Sequence, residues 1–330
     1  MRFPFPALVC DIGGTNVRIA RMGDAATTPA APVFLKTHAH AGLAEAVLAS
    51  GIAEGARSLI ACGAGPVVGR HLRLTNAPWL IDGPQVADRL GLAQGLLLND
   101  FEAQALSLPA IAPHSMLEIQ AGEAGPGPRV ILGPGTGLGI GALVEVGGLY
   151  AALASEACHI DFGPVGAEEE ALWPHLERAH GRVTTESVMA NQGLARIHRA
   201  RLLAHGLPAP AVTSAEVSDR AREDHGSDEA ASVRLLWRIV ARFAGDMAIT
   251  FMATGGVVLA GGILPRLTAL LDRAAFSRAF ADKAPVAALA AKTPVHLLLA
   301  TEAVLAGMAA IAAQPQRYAL DYAARAWRPL

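Results

Sequence analysis

The sequence predicts an α/β fold in which a mixed β-sheet carries helices on its faces. Two apolar runs near the amino terminus flank a Gly-Gly turn, which is typical of a β-hairpin. The apolar runs that follow alternate with segments of helical periodicity, which is typical of strands packed between helices. No sequence unit of about 20–50 residues recurs, which argues against a solenoid or a propeller.

The composition is that of a well-filled globular protein. Of the 330 residues, 52% are hydrophobic and 17% are charged, which argues against extended disorder and leaves room for two domains. A net charge of −2 gives no electrostatic reason to expect nucleic acid or an anionic membrane as a partner. Cys10, Cys62 and Cys158 are far apart, so we expect neither a disulfide framework nor structural zinc, and we expect a cytoplasmic location.

One segment, 247–264, has no charged residue and is long enough to raise the question of a membrane helix. Four glycines interrupt it, and its middle is better explained by a helix that ends and a strand that begins. At the amino terminus, Asp11 comes before any long apolar region, which argues against a signal peptide. We therefore expect no membrane association.

In chain order, the first half supplies the hairpin and then the alternating elements. We predict strands at 7–10, 17–22, 33–37, 59–62 and 96–98, a strand-like stretch with a turn at 67–80, and helices at 43–54, 84–90 and 101–108.

The hairpin turn, Asp11-Ile-Gly-Gly-Thr-Asn16, permits two interpretations. It is either an ordinary hairpin or a ligand-binding turn. In the second case Gly13 and Gly14 let the backbone approach a ligand closely, and Thr15 adds a hydroxyl. Asp11 could then hold Mg²⁺, directly or through water, because that ion prefers oxygen ligands and keeps several waters.

Asn99 and Asp100 lie between the strand predicted at 96–98 and the helix predicted at 101–108. In open α/β sheets, ligands bind outside the carboxyl ends of strands. Asn99 offers an amide donor and acceptor, and Asp100 offers a carboxylate that can take a proton from a hydroxyl. Alternatively, Asp100 only caps the helix, since Asp is a favoured N-cap. The local sequence does not separate these possibilities.

A second glycine turn, Gly133-Pro-Gly-Thr-Gly-Leu-Gly139, follows a passage at 111–128 that we interpret as the connection between two domains. It matches neither the dinucleotide fingerprint nor the P-loop. It does mirror the turn at 11–16, and two such turns could hold a polyphosphate through backbone N–H groups.

The remaining elements complete the alternating pattern. We predict strands at 130–144, 255–262 and 295–299, and helices at 168–178, 184–190, 196–205, 214–224, 227–254, from 265 onward and at 301–313.

The irregular stretch 154–164 contains Glu156 and His159, which have the Glu-x-x-His spacing of a di-metal helix pair. No second copy exists and the flanks do not have a helical pattern, so ordinary loop residues explain the pair better. Asp161-Phe-Gly163 imitates a protein-kinase motif, but its companion motifs are missing. Glu186, in the first turn of a predicted helix, is explained on its own by the helix dipole.

Taken together, six motifs in order resemble the bacterial glucokinase family of the actin-like sugar kinases, and the resemblance runs along nearly the whole chain. The motifs are Asp11-Ile-Gly-Gly-Thr-Asn16, Leu98-Asn-Asp-Phe101, Gly133-x-Gly-Thr-Gly-Leu-Gly139, Glu156-x-x-His159-x-Asp-Phe162, Glu186 and Ala260-Gly-Gly-Ile263.

The resemblance implies a two-domain actin-like ATPase (ribonuclease H-like) fold with an interdomain cleft. It places a small α/β domain at 1–111, a large one at 112–300, and a final helix of about 301–330 that packs back on the small domain. Because a dimer is common in similar kinases, we expect a homodimer.

It also implies ATP-dependent phosphorylation of glucose to glucose 6-phosphate, with Asp100 as the base for the sugar 6-hydroxyl. Asn99, Glu156, His159 and Glu186 would bind the sugar. ATP and Mg²⁺ would lie on the glycine turns, with Asp11 on the metal. The implied ATP-binding residues are Asp11, Gly13, Gly14, Thr15, Asn16, Gly135, Thr136, Gly137, Gly261 and Gly262.

The chain departs from the family pattern around the sugar motif, where Ser155, Ala157 and Cys158 stand in place of glycines. After Glu186, the segment 190–193 is less rich in glycine than expected, and 301–306 lacks the expected Asn-Pro-Gly character. A kinase for mannose or an amino sugar therefore stays open, as does a sugar or nucleotide sensor without catalysis. The zinc motif and helix-turn-helix arm of related regulators are missing, which favours a kinase.

Overall fold

The protein is described by a computed structural model that covers residues 2–26, 28–300 and 302–329. The chain divides into two compact units. The first comprises residues 1–113, 143–153 and 300–330, and the second comprises residues 114–142 and 154–299. The family resemblance implied that 143–153 belongs to the large domain, whereas the structure places this segment in the first unit. No change of composition marks either end of it.

A five-stranded sheet forms the centre of the first unit. Its strands are β1 (Ala7–Ile12), β2 (Asn16–Met22), β3 (Val33–Lys36), β4 (Ser58–Gly63) and β8 (Gln94–Asn99). Their order in the sheet is β3-β2-β1-β4-β8. β1 is antiparallel to β2 and parallel to β4, and β4 is parallel to β8.

The three parallel strands bury nearly every residue, as expected of strands covered on both faces. Their register pairs Asp11 with Cys62 and Gly63 with Asn99. The polar groups at the carboxyl ends of β1, β4 and β8 therefore lie along one edge of the sheet, which is where the sequence predicted a site.

Helices and a small sheet complete the first unit. The elements are β5 (Val67–Val68), β6 (His71–Arg73) and β7 (Leu80–Asp82), and the helices α1 (Leu43–Ala49), α2 (Gly83–Leu90), α3 (Asp100–Ser107), α11 (Ala303–Ala313) and α12 (Tyr322–Arg325). The predicted helix 43–54 was too long, because Gly51 adopts a left-handed φ of +72° just after the helix ends. The predicted helix at 301–313 starts at Thr301, which lies outside the described residues.

A second sheet has six strands. They are β9 (Met116–Gln120), β10 (Arg129–Pro134), β11 (Leu138–Val146), β12 (Leu149–Ser155), β13 (Gly256–Leu259) and β14 (Val295–Leu298). Their order in the sheet is β12-β11-β10-β13-β14-β9. The stretch 111–128, interpreted as the connection between two domains, contains the change of unit after Pro113, and it also contains β9, which was not predicted and is antiparallel to β14. The side chain of Gln120, at the end of β9, donates to the carbonyls of Ala290 and Thr293.

The helices of the second unit enclose a large apolar core. They are α4 (Gly166–Leu172), α5 (Thr185–Met189), α6 (Gly193–Ala204), α7 (Ser214–Glu223), α8 (Asp228–Thr250), α9 (Arg273–Ala281) and α10 (Ala287–Lys292). The helix predicted at 168–178 ends at Leu172, before a 3₁₀ turn that contains Pro174. The helix predicted from 265 is a 3₁₀-helix (Leu264–Leu270), and α9 and α10 were not predicted.

The uncharged segment 247–264 is divided between two elements. α8 ends at Thr250 and β13 begins at Gly256, with left-handed φ values at Met252 and Gly256. Across the described residues, we find no helix with the length and apolarity needed to cross a membrane.

Candidate functional site

The turn from β8 into α3 holds Asn99 and Asp100 in fixed positions. The N-cap is Asn99 and not Asp100, so the alternative in which Asp100 caps the helix was wrong. The Asn99 Oδ1 atom accepts from the backbone N–H groups of Phe101 (3.0 Å) and Glu102 (3.2 Å). Asp100 is the first residue of α3, and its carboxylate accepts the backbone N–H of Phe101 at 3.0 Å and interacts with the side chain of Asn99. These partners are the residues on either side of it, so the carboxylate can still act on another molecule.

The environment of Asp100 favours its protonated form. Burial raises the pKa of Asp100 from its usual 3.8 to about 6, and the charge of Asp11 adds to the rise. Backbone hydrogen bonds, first that of Phe101, act in the opposite direction. A carboxylate with a pKa of about 6 is ionised at neutral pH and accepts a proton more readily than an ordinary aspartate does.

Asp11 is almost buried on β1, beside Asp100. Arg18 on β2 forms an ion pair with one of its oxygens, and the Cys62 thiol lies 3.5 Å from the other. The charges of Asp11 and Asp100 both contribute to raising the pKa of Cys62, after burial. The structure thus brings Asp11, Cys62 and Asp100 together at the sheet edge.

The turn after Asp11 is closed by the bond from Gly13 N–H to the Asn16 carbonyl (2.9 Å). Thr37, the residue that follows β3, supports it, since its hydroxyl donates to the Gly13 carbonyl at 2.7 Å. A Cβ on Gly14 would lie 2.9 Å from the Asn76 Cβ, so glycine is needed for close packing there. The side chains of Thr15 and Asn16 are exposed and accessible to a ligand.

Gly65 is a site residue that the sequence analysis missed. Its carbonyl accepts from the Asn99 side-chain amide at 3.1 Å. Its φ is +159°, and a Cβ there would lie 1.9 Å from the Arg73 carbonyl oxygen, so no larger residue fits. The sequence did contain a signal for this residue, the glycine-rich stretch Gly63-Ala-Gly-Pro66 at the end of β4. Gly63 ends β4 and pairs with Asn99, which ends β8.

In the second unit, the structure brings Glu156, His159 and Glu186 together. His159 Nε2 lies 3.6 Å from Glu156 Oε2, and His159 Nδ1 lies 3.8 Å from Glu186 Oε1. Glu186 also accepts from the Leu138 N–H at 3.0 Å, and a Cβ on Gly137 would lie 2.8 Å from it. The helix-dipole explanation of Glu186 as a surface charge therefore omits its main contacts.

Glu156 and His159 lie on the same side of a 3₁₀ turn, Ala157–His159, because side chains three residues apart eclipse in that geometry. Cys158 is buried beneath them, with its Sγ 3.8 Å from Glu156 Oε2. Burial, then the charges of Glu186 and Glu156, raises the pKa of Cys158 to about 12. One ligand atom each from Glu156, Cys158 and His159 lie within 4.8 Å of one another, so this is the group within the described residues that could hold a metal ion.

The two remaining glycine segments pack against each other where the parallel strands β10 and β13 end. A Cβ on Gly133 would lie 2.5 Å from the Ala260 carbonyl, and one on Gly261 would lie 2.3 Å from the Pro134 carbonyl. Gly261 also has a left-handed φ of +86°. Thr136, Gly261 and Gly262 are exposed on this surface, so a ligand can reach both segments.

Comparison with known proteins gives a consistent result. The family model described as Glucokinase matches residues 8–315. A glucokinase of Mesorhizobium japonicum is 37% identical, covering 98% of this chain and 96% of the relative. The crystal structure of a glucokinase from an Antarctic psychrotroph has a TM-score of 0.83 at 27% identity, covering 93% and 98% of the two chains.

A third similar structure is a glucokinase of the ROK family from Streptomyces griseus, in complex with glucose and AMPPNP. It has a TM-score of 0.62 at 20% identity and covers 93% of this chain and 99% of its own. These likenesses confirm the predicted two-domain fold of the actin-like ATPases.

Proposed function

The chain belongs to the glucokinase family, so its reaction is the phosphorylation of glucose, and we propose that ATP is the phosphoryl donor and Asp100 the base for the sugar 6-hydroxyl. The observation that carries the proposal is Asp100 itself, a partly buried carboxylate at the carboxyl end of the parallel strand β8, with a pKa raised to about 6.

Asp100 needs to do little chemistry. The transition state of phosphoryl transfer is loose, so positioning and charge neutralisation matter more than a strong base. The carboxylate of Asp100 orients the hydroxyl and accepts its proton as the new P–O bond forms, and the bond to the leaving phosphate breaks. General bases contribute about 10²–10⁴-fold. The rate should fall with pH below about 6, where Asp100 becomes protonated.

We assign the ATP phosphates to the backbone of the turns at 13–16 and 135–137, and we place Gly261 and Gly262 near the adenosine. Glycine allows such backbone to approach phosphates, and no lysine follows either turn. The AMPPNP bound by the Streptomyces griseus protein supports an adenine nucleotide as the second ligand.

The Mg²⁺ that accompanies ATP would neutralise charge on the phosphates. Both carboxylate oxygens of Asp11 already have partners, Arg18 and Cys62. Direct coordination by Asp11 therefore does not fit this arrangement, whereas a contact through a water of the ion does. We propose Asp11 as an outer ligand of this kind.

The sugar is assigned to Asn99, Asp100, Glu156, His159 and Glu186. Carboxylates, an imidazole and an amide supply both acceptors and donors for ring hydroxyls. A site built for hydroxyls can reject an analogue that lacks one by about 10⁴–10⁵-fold. The three free, buried cysteines suit a reducing cytoplasm, where we place the protein. The homodimer stays a prediction.

The test is glucose-dependent ADP release with Mg-ATP, run beside mannose, fructose and glucosamine. We expect turnover on glucose. Turnover restricted to another hexose would keep the base and reassign the pocket, and Cys158 next to Glu156 is the feature that favours this outcome. Glucose binding in calorimetry without ADP release would instead indicate the sensor and contradict the catalytic role of Asp100.

A further inference from the structure

The segment that ends at residue 329 pairs with β8, the strand that leads into Asp100. Trp327 is fully buried, and its backbone exchanges two hydrogen bonds with Gly95 of β8, at 2.9 and 3.0 Å. A Cβ on Gly95 would lie 2.1 Å from the Trp327 ring, and one on Gly83 would lie 2.4 Å from it. Both glycines therefore leave room for this indole, which fixes the segment in place.

Two residues earlier, Arg325 binds the first turn of α3. Its guanidinium donates to both carboxylate oxygens of Glu102, at 2.6 and 2.7 Å, and to the Leu97 carbonyl at 3.0 Å. The side chains of Arg325 and Glu102 are only 19% and 16% exposed. A two-pronged, charge-assisted contact shielded from water is among the stronger polar interactions in proteins.

Glu102 in turn fixes the residue before the proposed base. Its carboxylate accepts from the backbone N–H of Asn99 at 3.2 Å, while Asn99 Oδ1 caps the N–H of Glu102. This reciprocal capping box sets the direction in which the chain enters α3, and Asp100 is the residue that follows. Arg325 thus holds Glu102, Glu102 holds Asn99, and Asn99 sets the backbone that carries Asp100.

We propose that Arg325 is a positioning residue for Asp100, and that the segment 325–327 acts as a latch on the catalytic turn. The proposal rests on the proposed function, in which Asp100 is the base. Without Arg325, the Glu102 carboxylate would be shielded from water and lack its cation, so the capping box would loosen. A displacement of about 1 Å at a reacting group can lower the rate about 100-fold.

The kinetic test compares Arg325→Met with Arg328→Met, an exposed arginine three residues further on. We expect Arg325→Met to lower kcat by about 10–100-fold while the KM for ATP changes less than about twofold. Arg325→Lys should recover part of the loss, because lysine keeps the charge but lacks the planar fork. Arg328→Met should match the wild type. An unchanged kcat in Arg325→Met would overturn the proposal.

A second variant separates positioning from stability. Replacing a buried ion pair by apolar residues is often neutral for stability. Glu102→Met combined with Arg325→Met should therefore recover the Tm lost in Arg325→Met, but kcat should stay low because the capping box is gone. Recovery of Tm and kcat together would show that the pair only stabilises the fold, and the latch would be refuted.

Hydrogen exchange tests the latch without any turnover. The amides of Phe101 and Glu102, which the Asn99 cap protects, should exchange at least about tenfold faster in Arg325→Met and at the wild-type rate in Arg328→Met. If glucose phosphorylation is absent in the wild type, the proposed function fails and exchange alone decides the latch. Unchanged exchange in Arg325→Met would overturn the latch even in an active enzyme.

Discussion

The turn at Asn99–Asp100 and the cluster of Glu156, His159 and Glu186 differ in how tightly their side chains are held. Asn99 makes its side-chain bonds at 3.0–3.2 Å and belongs to a capping box. In the cluster, His159 lies 3.6 and 3.8 Å from its two carboxylate neighbours, and Glu156 is 88% exposed. The turn at Asn99–Asp100 is held by hydrogen bonds before any ligand binds, whereas Glu156 and His159 keep their polar atoms available to a ligand.

The difference follows from what each region is proposed to do. A base must point at its proton before the reaction, so its backbone is fixed and its carboxylate is partly removed from water. Groups that bind sugar hydroxyls exchange their bound water for the ligand. Exposed carboxylates and an exposed imidazole can do this with little cost, because they stay hydrated until the sugar binds. Substitutions made in each region separately test this contrast.

The largest effect should come from Asp100→Asn. The amide keeps the shape of the side chain but cannot accept the hydroxyl proton, so we expect kcat to fall at least about 100-fold. Steady-state ADP release measures the change. Calorimetry should still detect glucose binding, and near-normal turnover would remove Asp100 as the base.

The same variant should be more stable than the wild type at neutral pH. Because folding raises the pKa of Asp100 from 3.8 to about 6, the folded state disfavours the ionised group, and stability declines as pH rises through that interval. Asp100→Asn avoids this cost, which is about 2–3 kcal/mol at pH 7. Thermal melts should show the gain at pH 7 and its disappearance near pH 4. Equal melting curves at pH 7 would contradict the raised pKa.

An intermediate effect is expected from Gly137→Ala. The new Cβ would lie 2.8 Å from the Glu186 carboxylate and displace it from its bonding position. Loss of one charge-assisted contact should weaken glucose binding by about tenfold. The matched control is Gly163→Ala, where a Cβ meets nothing within 4 Å. Equal glucose affinity in the two variants would mean that Glu186 does not bind the sugar.

The smallest effect should come from Cys158→Gly, which restores the glycine of the family pattern. The Cys158 thiol is buried beneath Glu156 and His159, and its Sγ lies near the Glu156 carboxylate. Removing the thiol therefore takes one weak contact from Glu156, whose side chain is already exposed. We expect glucose affinity to change less than about fivefold, by an amount typical of one weak hydrogen bond. A large change in the preference between glucose and mannose would show that Cys158 sets the choice of sugar.

Much of this arrangement could be predicted from the sequence. The position of Asn99 and Asp100 followed from the apolar run 96–98, because such a run after a glycine indicates a short buried strand and ligands bind at strand ends. The hairpin at 11–16 followed from Gly13 and Gly14. Both predictions depend on local patterns, which are fully contained in a few neighbouring residues.

The missed features depend on residues far apart in the chain. The strand β9 is short and half-exposed, and it exists because it pairs with β14. The sequence left open whether Asp100 caps α3, and Asn99 was not considered as the cap, since both residue types cap helices and only the backbone geometry separates them. Arg325 gave no local signal at all, because its partner Glu102 lies 223 residues earlier.

That separation has a consequence for the order in which the protein can fold. During synthesis, the sheet of the first unit emerges early, but β8 lacks Trp327 and α3 lacks Arg325 until more than two hundred further residues have followed. Closing so long a loop is slow because its entropy must be lost before the contacts form. The second unit, most of which is continuous in sequence, can fold in the meantime. We therefore expect the nascent chain to stay inactive until segment 325–327 has been made.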